Sequence, residues 1–596
     1  MMFTKTHGVN IMNIQECDLL REIRKKPDAN QRVLSEKTGY SLGMVNKCIQ
    51  NLIKQGMLRS DGGLSDAACT LFTDRMPERA VILAAGFGMR MVPINLETPK
   101  ALLEVHGERL IERQIRQLKE AGIRDITVVV GFMKECFEYL MDSYGVELCV
   151  NPFYNRANNL YSLSLAADKL KNCYVIPSDL YFLKNPFRKD ELYSWYMIND
   201  RMTRESSVRL NRKHELVSVD EHEAGNGMIG LAYLTGEESS QISARLMEMR
   251  SDVRYAGLFW ESALEEKGKY RIWGRVFPAS DAVEINTYEQ LREVDEGAAQ
   301  LKSDAMDTIA AALHTVNHSI TGIEVLKKGM TNRSFLFSCG GQRYIMRIPG
   351  EGSDKMINRY QEAEVYRTIE GKGLCDSCIY LNPDNGYKIT RYIEGVRNCD
   401  PLKEEDIARC MKKLREFHAM NLVVRHVFDP FAEMERYESF WNGKSSVYRD
   451  HAATKQGVYA LRPFIDAHIR SWHLCHIDSV CDNFLFYPDG KGGELLQLTD
   501  WEYAGMQDPD MDIAMFCIYA LYDRKQIDHL IDLYYEGKCP REIRIKIYCY
   551  IAVCGMLWSN WCELKRFLGV EFGEYALKQY RYAKDYMRLA QREMKA

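Results

Sequence analysis

The chain has 596 residues, 46% of them apolar and 27% charged, with a formal net charge of −4. One hydrophobic core stops growing near roughly 250–300 residues, so several domains are expected. The charge balance excludes a bulk basic footprint for nucleic acid and leaves that role to a small module at most.

The first residues, MMFTKTHGVNIM, carry no secretory pattern. The 18 cysteines are scattered, often single within apolar runs, as at Cys136, Cys173, Cys410 and Cys517. Cys375 and Cys378 form a lone C-x-x-C that reads as loop or buried thiols. A reducing, cytoplasmic location is therefore expected. The longest apolar stretch, around residues 547–558, is interrupted and too short for a bilayer, so no membrane insertion is expected.

From the N-terminus, Ile14, Leu19, Leu20 and Ile23 fall at helical spacing until Pro27-Asp28 breaks the run. Residues 32–38 predict a second helix, ended by Gly39. Ser41 caps a third, with Val45, Ile49, Leu52 and Ile53 on one face and Gly56 at its end. Residues 57–59 then open a short strand. The pattern resembles a winged helix-turn-helix domain, assigned to residues 11–72. Lys47, Lys54 and Arg59, with no acid between Tyr40 and Arg59, suit a helix near phosphates. DNA is thus a candidate partner, but the same fold also serves as a protein-contact module.

Residues 78–302 alternate strand and helix. Residues 80–84 read as a buried strand, 110–121 as an amphipathic helix ended by Gly122, and 126–130, 146–150 and 174–176 as further strands. Such alternation predicts a Rossmann-like, mainly parallel sheet. Residues 291–302 read as a polar helix leading out of the domain.

Leu83-Ala84-Ala85-Gly86-Phe-Gly88-Met-Arg90 directly follows the first strand, and Pro99-Lys100 lies ten residues beyond the arginine. Glycines let a backbone approach a triphosphate and aim its N–H groups at the oxygens. Arg90 and Lys100 can neutralise charge building on an α-phosphorus and a leaving pyrophosphate. This run resembles the sugar-nucleotide pyrophosphorylase superfamily. Pro99-Lys100-Ala-Leu-Leu-Glu-Val-His-Gly107, Ile111-Glu-Arg-Gln-Ile115, Val129-Val-Gly131 and Asn158-Asn159-Leu-Tyr161 narrow the resemblance to bacterial phosphocholine cytidylyltransferases. The resemblance implies that Asp179 is the first Mg²⁺ carboxylate. It implies a second from an E-I-D motif, which here reads Glu284-Ile285-Asn286, so Glu284 is the preferred ligand and Asn286 the weaker one. It also gives Asn159 a substrate contact. A trimethylammonium group needs aromatic faces. Tyr181, Tyr193, Trp195, Tyr196 and Trp260 are available, and the sequence does not choose among them.

Residues 305–596 read as a bilobal, protein-kinase-like domain: strands near 320–326, 334–338 and 343–348, then mostly helix. His476-x-Asp478-x4-Asn483 precedes an apolar strand ending at Asp500. Asp478 suits the acceptor of a substrate hydroxyl proton, and Asn483 and Asp500 suit Mg²⁺. The spacing resembles the aminoglycoside-phosphotransferase and choline-kinase clan. Lys328-Gly329-Met-Thr331-Asn332 stands where a phosphate-covering loop belongs. Arg347 occupies the usual phosphate-pairing lysine position, with Glu362 as its partner and Glu364 as the alternative. Asp500-Trp-Glu-Tyr503, Leu557-Trp558-Ser-Asn-Trp561 and Glu571-Phe-Gly-Glu-Tyr575 resemble the choline/ethanolamine kinases. Tyr503, Trp558 and Trp561 would wall a quaternary ammonium. Some choline kinases carry a carboxylate where residues 516–519 here have none.

Together these resemblances imply a bifunctional enzyme. It phosphorylates choline with ATP, then joins phosphocholine to CTP, releasing pyrophosphate, for the decoration of cell-surface polymers. The alternatives are the same steps on ethanolamine or another amino alcohol, a sugar or aminoglycoside phosphotransferase, and a DNA-binding regulator that senses choline or nucleotides. A homodimer is a candidate assembly.

Overall fold

The computed structural model describes all residues except 1–11, 95–97, 205, 212, 221–222, 267, 299–300, 327–331, 351–355, 376, 442 and 568–571. It divides into two compact units, Met1–Met306 and Asp307–Ala596.

The first unit opens with the helices Ile14–Lys25, Gln31–Thr38, Leu42–Lys54 and Asp66–Asp74. Each starts on an Asn or Ser whose side chain accepts from the first-turn backbone (Asn13, Asn30, Ser41, Ser65). Leu19, Leu20, Val45, Cys48 and Leu52 close the core. Ile53, expected inside, is 38% exposed. The buried stripe runs Val45, Cys48, Leu52, and Ile53 lies about 100° further round the helix. Residues 57–59 form no strand: a single bridge joins Leu58 to Leu64.

The following sheet runs, in spatial order, Glu147–Val150, Asp125–Val130, Arg79–Ala84 and Cys173–Pro177, all parallel. Gly225–Leu234 and Trp195–Thr203 then join antiparallel, and Lys269–Phe277 pairs parallel to the latter. Register sets Ala84 beside Val130 and Leu83 beside Pro177. The chain therefore leaves three neighbouring strands at one carboxyl edge, where ligands bind in open sheets of this type. Asp179 lies beyond the strand end at Pro177, in the turn before Leu180–Phe182, which pairs with Ala282–Glu284. The helix expected over 291–302 is instead Tyr288–Val294. A Thr287/Gln290 capping box starts it earlier, and the chain leaves helical geometry at Asp295.

The second unit begins with an antiparallel sheet ordered Thr321–Val325, Asn332–Cys339, Gln342–Pro349, Lys388–Arg391, Cys378–Leu381. The helix Arg359–Ile369 follows its third strand. The rest is mainly helical, built on the 27-residue helix Arg541–Phe567, which packs against Asp510–Tyr519 and Glu574–Lys595. Among the described residues no helix is long and apolar enough to cross a membrane. All 18 cysteines are free thiols.

Candidate active sites

At the sheet edge of the first unit the backbone is held from both sides. Ser178 N donates to Leu83 O (3.2 Å) and Phe132 N to Ala85 O (3.1 Å), with Leu83, Ala84 and Ala85 buried. Gly86 is exposed, and a Cβ there would meet nothing within 4 Å. Gly88 needs glycine: its φ is +65°, and a Cβ would sit 3.3 Å from Lys100 Cβ. Lys100 starts a tight turn after Pro99, so its side chain crosses Gly88. Its Nζ donates to Asp179 Oδ2 (2.5 Å) and Asn286 Oδ1 (2.6 Å). Arg90 is exposed beside it in the turn Met89–Met91. Asp179 Oδ1 is buried without a hydrogen-bond partner. That orphaned oxygen, with Asn286 Oδ1 and Glu284, makes an all-oxygen donor set of the kind a hard divalent cation takes. Burial, and then the charge of Asp179, raise the Glu284 carboxyl above the usual range.

Asn159 serves a second purpose. Its Oδ1 accepts from Trp260 N (2.8 Å), and Asn158 N donates to Ala256 O (2.7 Å). The loop before residue 260 is thereby fastened, and it delivers Glu261. Tyr196 donates to Glu261 Oε1 (2.9 Å), while Oε2 is buried without a partner. Burial pushes this carboxyl up to about 7, and the Glu284 charge contributes. Of the aromatic candidates, Tyr196 and Trp260 flank Glu261. Trp195 is buried in the core with Arg275 over its ring, and Tyr193 packs on the winged helix. Nothing local in the sequence singles out Glu261, because its partner Tyr196 is 65 residues away.

In the second unit, strained backbone marks the site. Ile477 and Asp500 have φ of 67° and 62°, rare for residues with side chains. Asp512 holds the first bend: Oδ1 accepts from Ile477 N (2.7 Å) and Oδ2 from His476 N (2.9 Å). His476 Nε2 reaches Thr499 O (2.9 Å), tying that loop to the strand end before Asp500. Asn483 Nδ2 donates to Asp478 O (2.8 Å) and Oδ2 (3.0 Å). Burial, then the charges of Asp500 and Glu502, push the Asp478 carboxyl up to about 8.

Arg347 grips Glu362 through both terminal nitrogens and donates to Gly386 O. Burial would pull Glu362 upward, but Arg347 and Lys388 hold it at about 2. Glu364, the alternative partner, instead accepts from Arg425 N. The ion network continues through Arg359, whose Nη1 donates to Glu362 (2.9 Å) and Glu502 (3.0 Å). Asn332 joins it, donating to Glu502 (3.0 Å) and accepting from Arg359 (3.1 Å). Thr331, the rest of its loop from residue 327, and Glu571 lie outside the described residues. Glu502 was not assigned a role from sequence, yet it joins Arg359 and Asn332 to the segment that carries Asp500.

Trp558 and Trp561 stack with centroids 6.4 Å apart and planes at 18°, and Tyr503 meets Trp558 edge-on at 6.1 Å. Phe572 faces Trp561 at 5.2 Å, and Tyr575 faces Tyr519 at 6.1 Å. The Asp478 charge acts on both Tyr503 and Tyr575, so these two rings lie near that carboxyl. Ile518 is buried in the core; the nearby carboxylate is Asp482, which accepts from Tyr519 (2.5 Å).

Comparison with known proteins agrees with this division. Family models match residues 12–59 (winged helix-turn-helix DNA-binding), 80–190 (MobA-like NTP transferase domain) and 323–580 (choline/ethanolamine kinase). The chain is 33% identical over 222 residues to the choline-phosphate cytidylyltransferase of Streptococcus pneumoniae, covering 37% of this chain and 97% of the relative. It is 29% identical over 268 residues to protein LicA of Haemophilus influenzae, covering 42% of this chain and 76% of the relative. Among solved structures, the choline kinase LicA from Streptococcus pneumoniae is 26% identical with a TM-score of 0.42, covering 48% of this chain and 97% of that one. The chain belongs to the choline-phosphate cytidylyltransferase family, fused to a choline/ethanolamine kinase domain behind a winged helix-turn-helix segment.

Proposed function

We propose that the second unit phosphorylates choline with ATP and that the first unit couples the resulting phosphocholine to CTP, giving CDP-choline and pyrophosphate. The observation that carries this reading is the Tyr503–Trp558–Trp561 ring cluster, whose Tyr503 lies near Asp478. Aromatic faces attract a quaternary ammonium by about 0.5–2 kcal/mol per ring. A choline held there by its cationic head would present its hydroxyl to Asp478. In its ionised form Asp478 accepts the hydroxyl proton as the oxygen attacks the γ-phosphorus of ATP, and ADP departs. The Arg347–Glu362–Arg359–Glu502 network fixes the nucleotide side of the cleft. Asp500 and Asn483 would hold Mg²⁺, which neutralises phosphate charge when bound.

In the first unit, a phosphocholine oxygen attacks the α-phosphorus of CTP and pyrophosphate leaves. A phosphate dianion is already a nucleophile near neutral pH, so no general base is required. Gly86 and Gly88 admit the triphosphate to the backbone, and Lys100 and Arg90 neutralise the charge that develops. Asp179, with Glu284 and Asn286, would hold a second Mg²⁺. Glu261, half-buried beside Tyr196 and Trp260, supplies a carboxylate for the ammonium end. The test is a substrate panel: with Mg²⁺, ATP and CTP, choline gives a CDP-linked product faster than ethanolamine. Equal or reversed rates would transfer the reading to ethanolamine, and no product with either amine would refute it.

A further reading concerns the winged helix. It docks on the sheet domain through Asp18, Arg21 and Arg75, which meet Tyr193, Glu191 and the Leu192 carbonyl. The face of Leu42–Lys54 that bears Asn46, Lys47, Gln50 and Lys54 stays exposed. We infer that this face contacts duplex DNA. A gel shift with the chain's own upstream DNA at about 0.1 M salt checks it, and unchanged binding in Lys47→Ala/Lys54→Ala would contradict it.

A further inference from the structure

We propose that Asp482, oriented by the Tyr519 hydroxyl, supplies the negative charge that balances the ammonium of the kinase substrate, so that the second unit selects a cation over a neutral group of the same shape. The inference rests on the choline-kinase reading of this unit and names the residue that reads the charge.

The aromatic series is longer than its first three rings. Beyond Trp558 and Trp561 it continues to Phe572, 5.2 Å from Trp561, then to Tyr575 at 6.4 Å and Tyr519 at 6.1 Å. The Tyr519 hydroxyl donates to Asp482 Oδ2 (2.5 Å), and Asn398 Nδ2 donates to Oδ1 (3.4 Å). Asp482 thus stands where the rings meet the catalytic loop, four residues beyond Asp478. The Asp478 charge acts on Tyr503, Tyr575 and Tyr519, so rings from both ends of the series lie near that carboxyl. In choline the hydroxyl and the ammonium are two carbons apart. A hydroxyl placed at Asp478 therefore keeps the head close to these rings.

The carboxylates that act on these tyrosines are Asp478, Asp482, Asp500 and Glu502. Three of them have other work. Asp478 receives the hydroxyl proton, and burial pushes it up to about 8, so near neutral pH it carries little charge. Glu502 is held by Arg359 (3.0 Å), and Asp500 is a candidate metal ligand. Asp482 accepts from a hydroxyl and an amide, both neutral, and it is exposed beside the site. A counter-charge is needed there, because Lys565 already places an ammonium 5.3 Å from the centre of the Trp561 ring. A second cation brought onto the rings meets that like charge, and an anion at the other end of the series offsets it. Packing alone would not tell a trimethylammonium from a tert-butyl group, which has the same shape.

The test uses the full chain with Mg²⁺ and ATP. It compares choline with 3,3-dimethylbutan-1-ol, in which tert-butyl replaces trimethylammonium. The neutral alcohol is read by its KM or, where it is not turned over, by its inhibition constant against choline. The unaltered protein should prefer choline. Asp482→Asn keeps the size and an oxygen for Tyr519, and should lower that preference about fivefold, with the loss falling on choline. Asp482→Glu should recover part of it, and Tyr519→Phe should lower it less, because the carboxylate stays but is no longer held. A preference within about twofold of the unaltered protein in Asp482→Asn would overturn the proposal. So would an equal loss on both alcohols, which would make Asp482 a structural support of its loop. The two failures are distinguishable. If the unaltered protein does not phosphorylate choline, the choline-kinase reading falls and takes this inference with it. If it does, and Asp482→Asn keeps the preference, only the present inference falls.

Discussion

Replacing Asp478 with Asn should abolish phosphocholine formation and at the same time stabilise the kinase unit. The carboxyl is pushed up to about 8 by burial and by Asp500 and Glu502. An aspartate in an unfolded chain titrates near about 3.9. The folded state thus holds a proton that the unfolded state has released, and between those two values stability falls as pH rises. At about 1.36 kcal/mol per pH unit, the penalty reaches on the order of 4 kcal/mol at pH 7 and about 1.5 kcal/mol at pH 5. The amide of the Asp478→Asn variant removes the ionisation and keeps an oxygen that can accept from Asn483. At roughly 2 °C per kcal/mol for a domain of this size, the kinase transition should rise by up to about 8 °C at pH 7 and clearly less at pH 5. Loss of the base should cost about 10²–10⁴ in phosphocholine formation. Cytidylyl transfer from supplied phosphocholine should be unchanged. Calorimetry at the two pH values and separate assays of the two half-reactions read all three effects. Kinase turnover within about threefold of the unaltered protein would refute the role of Asp478 as base. A lower melting temperature at pH 7 would refute the electrostatic argument.

The reciprocal change, Asp179→Asn, should abolish CDP-choline formation and spare the kinase; loss of both would require one shared site. Trp558→Ala should raise KM for choline about tenfold or more, from the loss of one cation–π wall and its packing, with a smaller effect on KM for ATP. Glu261→Gln should flatten the pH dependence of phosphocholine binding. In the unaltered protein the carboxyl ionises as pH rises through about 7, so affinity for the cationic head should increase across that range. Glu191 is fully buried and takes a bidentate grip from Arg275, with Arg21 of the winged helix 3.8 Å away. Glu191→Gln leaves buried guanidinium charge uncompensated, at about 3–5 kcal/mol, and should lower the melting of the first unit by about 6–10 °C. A shift below about 1 °C would show that the triad does not bear on stability.

What was legible in the sequence was local. Within the strand Arg79–Ala84, residues 80–84 are a continuous buried apolar run, and Gly86 follows after Ala85, so its position and the loop beyond it could be read together. Ser41 and Gly39 punctuate the second and third helices by their backbone chemistry. The pair Trp558 and Trp561, three apart on one helix, had to share a face. What was not legible depends on partners distant in the chain. Glu502 meets Arg359 across 143 positions, and Glu191 meets Arg275 across 84. Either acid could equally have been a solvated surface charge. Tyr193 and Trp195 stand among five aromatic candidates the sequence does not choose between, because aromatic residues suit both a cation and a core. Only the packing shows that they serve a domain contact and the sheet interior. Ile53 was misplaced because two adjacent apolar positions cannot both face inward once Cys48 fills the stripe between Val45 and Leu52.

The central claim, two consecutive reactions carried by two sites in one chain, is tested most directly by following methyl-labelled choline with the purified protein and Mg²⁺. With ATP alone, label should accumulate in phosphocholine. With ATP and CTP it should pass into CDP-choline, with one pyrophosphate released per product. With CTP alone it should stay in choline. Label that remains in choline when both nucleotides are present, or that reaches CDP-choline without ATP, would contradict the account.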